Sequence, residues 1–247
     1  MKRLGLVGLG QFGQLAARTL KDHFDVVATD AAPDAPARAS AAGVAYASLE
    51  EVAGCEIVVV AVPVAVMREV FGQIAPLVKP GALVIDVGSV KVLPVTWMQE
   101  LLPAHVEIVA THPLFGPQSV ARDGLPGLRF VVCPVRGERF EKVAAFGRSL
   151  GLAVTVTTAE EHDREMAYVQ ALTHLIGRSL VNLGIPDEEL ATPSYQHLLE
   201  LCGLIRNDTF ELFAAIQTQN PYAPEVAKAF VAQAQSLLEQ VASGKTA

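Results

Sequence analysis

Leu4-Gly5-Leu6-Val7-Gly8-Leu9-Gly10-Gln11-Phe12-Gly13 runs from a short apolar segment, through a GxGxxG turn, into the pattern of an amphipathic helix. In a strand-turn-helix setting the first glycine permits the tight turn, the second lets a pyrophosphate approach the backbone, and the third lets helix and strand pack closely. Phosphates would rest on the helix N-terminus, where unpaired N–H groups and the helix dipole favour anions. Gly8, Gly10, Gln11, Phe12 and Gly13 are therefore expected to bind a dinucleotide, the alternative being a structural glycine turn. Asp30 follows the second apolar run, seventeen residues past Gly13 and near the ~20 at which an acid meets the adenosine ribose hydroxyls. Its charge repels a 2′-phosphate, so NAD is the expected cofactor, while Arg38 close by keeps NADP open. Val62 and Pro63, at the end of a later apolar run, are expected to flank the same cofactor.

Beyond this turn, runs rich in Val and Ile alternate with helical patterns through residue 157, as in a parallel sheet buried on both faces. Strands are expected at 4–7, 26–29, 57–62, 83–87, 108–110, 130–132 and 154–156, with helices near 12–24, 64–78 and 138–150; the Ala-rich stretch 31–47 reads as a loop and short helix. This alternation predicts an α/β fold, a Rossmann-type doubly wound parallel sheet spanning residues 1–157. From Thr158 the pattern is helical throughout. Thr158 and Glu161 form a capping-box signature, and one long helix can run to Leu183 before Gly184 stops it. Helices near 194–205 and 209–219 come next, and a last one after Pro224 carries Val226, Phe230, Ala234, Leu237 and Val241 at helical spacing. Residues 158–247 thus form a smaller all-helical domain, whose apolar faces are expected to dock on the first domain or on a second copy of the chain. A homodimer through the helical domain is the prediction.

The 247 residues are 51% hydrophobic and 18% charged, enough for a large core and against a disordered chain. A formal charge of −7 with no basic stretch excludes nucleic acid as a partner. Cys55, Cys133 and Cys202 lie far apart in apolar company, which makes neither a disulfide framework nor a metal cluster and suits the cytoplasm. Lys2 and Arg3 before an apolar stretch imitate a signal peptide, but the glycines and the helix after them do not. The longest apolar run, 57–67, is far shorter than the ~20 residues of a membrane span and holds Pro63, so no membrane partner is expected.

Two further loops come after strands at the carboxyl edge, where open α/β sheets place ligands. One is Asp86-Val87-Gly88-Ser89-Val90-Lys91; the other is Thr111-His112-Pro113-Leu114-Phe115-Gly116-Pro117-Gln118. Pro113 biases His112 towards extended backbone, so its imidazole can stand at a strand end and accept a substrate hydroxyl proton. With the glycine turn, Gly88-Ser89-Val90-Lys91, Thr111-His112-Pro113 with Gly116, and Glu161-His162-Asp163 leading to Thr173-His174-Leu175, the chain resembles the prephenate/arogenate dehydrogenase family of tyrosine biosynthesis over nearly its whole length. The resemblance implies NAD(P)-dependent oxidative decarboxylation of a cyclohexadienyl substrate. His112 would take the proton of the ring 4-hydroxyl as hydride leaves C4, and Ser89 would help hold that hydroxyl and the histidine.

Departures from the family pattern bear on the substrate. Aligned on Asn207-Asp208-Thr209-Phe210-Glu211-Leu212, the position of the arginine that grips the substrate carboxylate in many bacterial prephenate dehydrogenases holds Leu204, and a second histidine expected one turn after His174 is Gly177. Both resemble the arogenate-using branch, including its plant members, in which an acid at Asp208 is suited to the substrate ammonium group. Asp208 also reads as a helix cap with Glu211, and Arg206 as either a displaced carboxylate clamp or an exposed charge. On the helix after Thr158, Asp163, Gln170 and His174 line up opposite an apolar face. That stripe is either solvated, or it turns Gln170 and His174 towards substrate across a cleft; Gln118 is a further candidate hydrogen-bonding residue. The expectation is an arogenate dehydrogenase; a prephenate dehydrogenase and a dual-substrate cyclohexadienyl dehydrogenase are the alternatives within this chemistry. Related β-hydroxyacid reductases would not account for the Thr-His-Pro loop and rely on a later lysine motif not found here. A nucleotide sensor without turnover would have no use for Ser89 and His112.

Overall fold

The computed structural model describes residues 1–244; the last three residues of the expected helical domain, 245–247, lie outside them. Two compact units divide the chain, Met1–His162 and a second from Asp163 onward. In the first, strands β1 (Arg3–Val7), β2 (Asp25–Thr29), β3 (Ala45–Tyr46), β4 (Ile57–Val60), β5 (Leu83–Asp86), β6 (Glu107–Pro113), β7 (Arg129–Arg136) and β8 (Ala153–Val156) form one sheet in the order β3-β2-β1-β4-β5-β6-β7-β8. Helices α1 (Gln11–Leu20), α2 (Ala35–Ala42), α3 (Leu49–Ala53), α4 (Val64–Ile74), α5 (Val92–Leu101), α6 (Pro117–Asp123) and α7 (Phe140–Ser149) connect the strands. Strand order reverses between β1 and β4, the switch point at which such sheets open a crevice for a ligand.

The apolar runs are continuous because both faces of the sheet are covered. Val58 and Val60 pack with Met67, Phe71 and Met98 of α4 and α5 on one face, while Val59 packs with Ala17, Ala35, Ala39 and Ala144 of α1, α2 and α7 on the other. Each large side chain buried in this way contributes about 1.5–3 kcal/mol. The sheet departs from the expected all-parallel arrangement at one place, where β7 runs antiparallel to β6. The intervening α6 has seven residues and spans about 10 Å, too little to return the chain along the roughly 23 Å of a seven-residue strand. Strand β6 also runs to Pro113 rather than ending at Ala110, and β4 stops at Val60 rather than reaching Val62.

Glycine is required at two points of the first turn. Gly8 has φ +106°, and a Cβ on Gly13 would lie 2.1 Å from the Gly8 carbonyl oxygen. The carboxyl ends of β5 and β6 are tied by fully buried polar groups. Lys91 donates to Asp86 Oδ2 and, at 2.6 Å, to the Thr111 carbonyl, while the Thr111 hydroxyl donates to the Asp86 carbonyl at 2.6 Å. Gly88 N–H adds a bond of 2.9 Å to the same carboxylate. Burial pushes the Asp86 carboxyl up, and the Lys91 ammonium beside it pulls the other way.

The second unit is helical among its described residues. Helix α8 (Ala159–Met166), which spans the boundary, leads into a π-helical stretch (Ala167–Leu172), and then come α9 (Thr173–Leu183), α10 (Pro193–Ile205), α11 (Phe210–Gln219) and α12 (Ala223–Ala242). The single regular helix expected over 159–183 is therefore interrupted. A π turn inserts a residue and rotates the helix beyond it, so Asp163 leaves the stripe expected with Gln170 and His174 and is itself fully buried. Side-chain amides serve carbonyls along this segment: Gln217 donates to Ala171 at 2.7 Å and Asn220 to Asp163 at 2.7 Å. Thr158 accepts from Glu161 N–H at 3.1 Å at the start of α8, and Gly184 ends α9 in the left-handed conformation, both as expected. Along α12, Phe230, Val231, Leu237, Leu238 and Val241 are exposed, Val241 to 81%.

Replacing Lys91 with Met should leave Asp86 as an uncompensated buried charge and cost about 3–5 kcal/mol, read as a lowered urea midpoint. The double variant Asp86→Leu with Lys91→Met should recover much of that loss. A single variant within 1 kcal/mol of the parent chain, on the order of an exposed pair, would mean that the pair does not hold these strands.

Candidate active site

The glycine turn lies at the carboxyl end of β1, beside the switch point. Gly10 is the N-cap of α1, has no side chain to bond the first turn, and a Cβ there would meet nothing within 4 Å. The turn thus leaves backbone N–H groups and open space together, which fits a pyrophosphate. Gln11 is exposed and Phe12 half-buried on the same turn. Asp30 stands next to it: one carboxylate oxygen accepts from Leu9 N–H at 2.6 Å and the other from Ala32 N–H at 2.8 Å. Each oxygen keeps a lone pair for a ribose hydroxyl. Arg38 approaches the Leu9 carbonyl at 3.5 Å and pairs with Asp34 at 2.9 Å, which brings a cation to the same turn. Val62 also belongs to this group, since a Cβ on Gly8 would lie 3.0 Å from its Cγ1, whereas Pro63 is an exposed N-cap of α4.

Ser89 lies just after β5 and His112 near the end of β6, neighbouring strands whose register pairs Asp86 with Ala110. The Ser89 hydroxyl oxygen is buried and has no hydrogen-bond partner among the described residues. His112 is held in extended backbone by β6, where it pairs with Val131, and its side chain is buried. Its Nδ1 lies 2.9 Å from Nε2 of His162 in α8, with the rings edge to face at 67°. The Nε2 of His112 is thus the nitrogen left to meet a substrate. Burial holds the His112 pKa well below the usual imidazole value, with His162 and then Lys91 adding to the effect. Phe12 and Phe115, 6.4 Å apart between ring centroids, join the glycine turn to the histidine loop. Gln118 is exposed in the first turn of α6.

In the helical unit, His174 on α9 and Asp208 in the turn before α11 come together, Nδ1 to Oδ2 at 3.7 Å. Arg178, one turn beyond His174, donates to the Asp208 carbonyl at 2.6 Å, and its guanidinium lies over the Phe213 ring at 5.8 Å. Burial pushes the Asp208 carboxyl up, with His174 and then Arg178 pulling the other way, and burial pushes the His174 imidazole down. Asp208 is not the helix cap that its spacing to Glu211 suggests, because the Thr209 hydroxyl accepts from Leu212 N–H at 3.2 Å and caps α11 itself. Arg206 is exposed at the end of α10, Leu204 is exposed on the same helix, and Gln170 is half-buried in the π-helical stretch. Sequence reasoning gave no role to two residues: His162, quoted in a motif but with a contact that spans fifty positions, and Arg178, whose spacing of four from His174 was a usable signal.

Two family models match the chain. One, "Prephenate dehydrogenase, nucleotide-binding domain", covers residues 16–156, and the other, "Prephenate dehydrogenase, dimerization domain", covers residues 158–247. The chain is 34% identical over 199 residues to the "Probable arogenate/prephenate dehydrogenase" of Methanocaldococcus jannaschii, a match over 75% of this chain and 44% of that protein. It is 29% identical over 253 residues to "Arogenate dehydrogenase 1, chloroplastic" of Arabidopsis thaliana, over 97% of this chain and 39% of that protein. It therefore spans about two fifths of the length of these relatives. Its fold is shared with the crystal structure of prephenate dehydrogenase from A. aeolicus in complex with hydroxyphenyl propionate and NAD+, with TM-score 0.78 at 19% identity, over 99% of this chain and 92% of that one. With a family match over both of its units, the chain belongs to the prephenate dehydrogenase family.

Proposed function

We propose that this chain is an arogenate dehydrogenase that prefers NAD and acts in the cytoplasm as a homodimer joined through its helical unit. The observation that carries the reaction is the buried His112, at the end of β6 on the sheet edge that also bears the glycine turn. A bound nicotinamide dinucleotide supplies the hydride acceptor. His112 Nε2 takes the proton of the ring 4-hydroxyl as C4 loses hydride, which develops carbonyl character at C4. The bond from C1 to the ring carboxylate breaks, its electron pair enters the ring, carbon dioxide leaves, and the phenolic oxygen recovers the proton. Because the hydroxyl becomes more acidic as hydride departs, a weakly basic neutral imidazole suffices, worth ~10²- to 10⁴-fold. Ser89, with its buried hydroxyl, holds the hydroxyl and the histidine in line.

Substrate choice rests on the second unit. Asp208 offers a half-buried carboxylate to an ammonium group, and His174 beside it favours the uncharged state at neutral pH, so it does not compete as a cation. Leu204 supplies no charge for a side-chain carboxylate and Arg206 is exposed at the end of α10, with Gln170 and Gln118 as further hydrogen-bonding residues. Asp30 favours NAD by repelling a 2′-phosphate, while Arg38 on the same turn allows some use of NADP. The apolar stripe exposed along α12 supports the dimer, as does the description of the family model that matches there.

With purified protein, NADH formation should be faster with arogenate than with prephenate, and faster with NAD than with NADP. Asp208→Asn should then lower kcat/KM for arogenate by ~10- to 100-fold, the scale of a hydrogen bond to a charged group. A clear preference for prephenate would instead assign Arg206 to the substrate carboxylate and remove the ammonium role of Asp208. Since only neutral His112 can accept the proton, kcat/KM should rise with pH through its lowered pKa and be flat above it. The acid limb should therefore have its midpoint below ~6.5, the unperturbed value, and a midpoint at or above that value would contradict a buried neutral base. Light scattering at micromolar concentration should give twice the chain mass, and a monomer would overturn the dimer.

A further inference from the structure

We propose that His162 is a positioning residue for the base: its Nε2 accepts the Nδ1–H of His112, which fixes His112 in the tautomer whose Nε2 lone pair faces substrate. The inference deepens the reading of His112 as the proton acceptor and rests on it. Three observations carry it. The ring nitrogens stand 2.9 Å apart, so one hydrogen lies between them and only one of the two can be its donor. Both rings are buried, His112 at 5% and His162 at 2% exposure, so water does not scramble the choice. His162 is held by the first turn of α8, where its backbone N–H bonds the Thr158 carbonyl at 3.0 Å and the Thr158 hydroxyl accepts from Glu161 N–H.

A histidine that is to receive a proton at Nε2 must carry its own hydrogen at Nδ1. His162 therefore has to present a lone pair at Nε2, and its own ring hydrogen sits at Nδ1. This is the arrangement of a base oriented by a third group, with an imidazole where such sites often use a carboxylate. The substitution changes the chemistry. A carboxylate would raise the basicity of His112 and favour its charged form at neutral pH, whereas a neutral imidazole sets the tautomer without adding negative charge. Once His112 has taken the proton, the same contact keeps its ring oriented until the phenolic oxygen takes the proton back. On the remaining elements, the Lys91 ammonium after β5 acts on His112, and Lys91 is itself paired with Asp86.

The test reads the tautomer directly, before any turnover. Nitrogen-15 spectra of the imidazoles in the whole chain at pH 7 should show His112 neutral and protonated at Nδ1, with His162 unprotonated at Nε2. A His112 protonated at Nε2, or a charged His162, overturns the proposal whatever the substrate proves to be. His162→Gln keeps an acceptor and His162→Leu does not. His162→Leu should lower kcat by ~10- to 100-fold, a part of the ~10²- to 10⁴-fold available from a general base, and leave KM for NAD within about twofold. His162→Gln should recover most of that loss and retain the Nδ1–H tautomer. Equal losses in both variants with the tautomer unchanged would make His162 a packing residue only. If the spectra agree but neither arogenate nor prephenate is turned over by the parent chain, the positioning contact stands and the assigned reaction fails.

Discussion

Lys91 and Asp86 are fully buried and paired where β5 ends beside β6, and the geometry of the candidate site's edge depends on that pair. Burying two charges is costly, and it is tolerated only where attraction and additional hydrogen bonds offset desolvation. Here the additional bonds are informative. Lys91 reaches the Thr111 carbonyl, Thr111 reaches the Asp86 carbonyl, and Gly88 N–H reaches the Asp86 carboxylate. Every partner lies within three residues of Ser89 or His112. The pair thus extends the hold of the ladder past Asp86–Ala110, its last register pair, towards the residues proposed for the chemistry. An apolar substitute could fill the same volume, but it could not bond the Thr111 carbonyl at the end of β6.

The helical unit is organised by a different shortage. Its buried cluster consists of Ala171, Ile216 and Ala223, which is little for a chain of this length to fold around. The apolar stripe left exposed on α12 is the other side of the same fact, since surface that a small core cannot cover is available to a partner. The π-helical stretch belongs to this economy. Its extra residue rotates the helix beyond it away from the register of buried Asp163, and amides of Gln217 and Asn220 serve the backbone alongside it. Such turns cost regular hydrogen bonds, which is why they recur where function sets the direction of a side chain.

Much of the first unit was legible because burial on both faces writes strands as unbroken Val and Ile runs, and because GxGxxG can be placed only after a strand. The direction of β7 was not legible, since the cue is the shortness of α6, a weakly patterned helix of seven residues. Helix α5 escaped because Pro94 and β-branched residues sit in its first half, and β3 because two residues carry no period. The places of Ser89 and His112 at the carboxyl edge were legible from their loops, while the approach of His174 to Asp208 was not. The cap weighed as the alternative for Asp208 falls to Thr209, one position later, which does that work with a hydroxyl. The contact of His112 with His162 could not be seen at all, because it joins the end of β6 to α8 across fifty positions and no local pattern encodes such a distance.

These elements meet in the protonation state of one imidazole. A base that must be uncharged at neutral pH can be kept so by removing water, by withholding anions, or by placing a cation nearby. This chain does all three at His112. Burial is the largest influence, the hydrogen-bond partner is a second imidazole rather than a carboxylate, and the Lys91 ammonium adds its field. That cation would be unsustainable in a dry interior without Asp86, so the ion pair that fixes the strand ends is also what permits a positive charge behind the base. The Asp86 carboxylate is held by Lys91 and Gly88 N–H, so its negative charge is compensated. Fold and catalysis therefore share one electrostatic arrangement, and altering Asp86 to improve packing would alter the basicity of His112 at the same time.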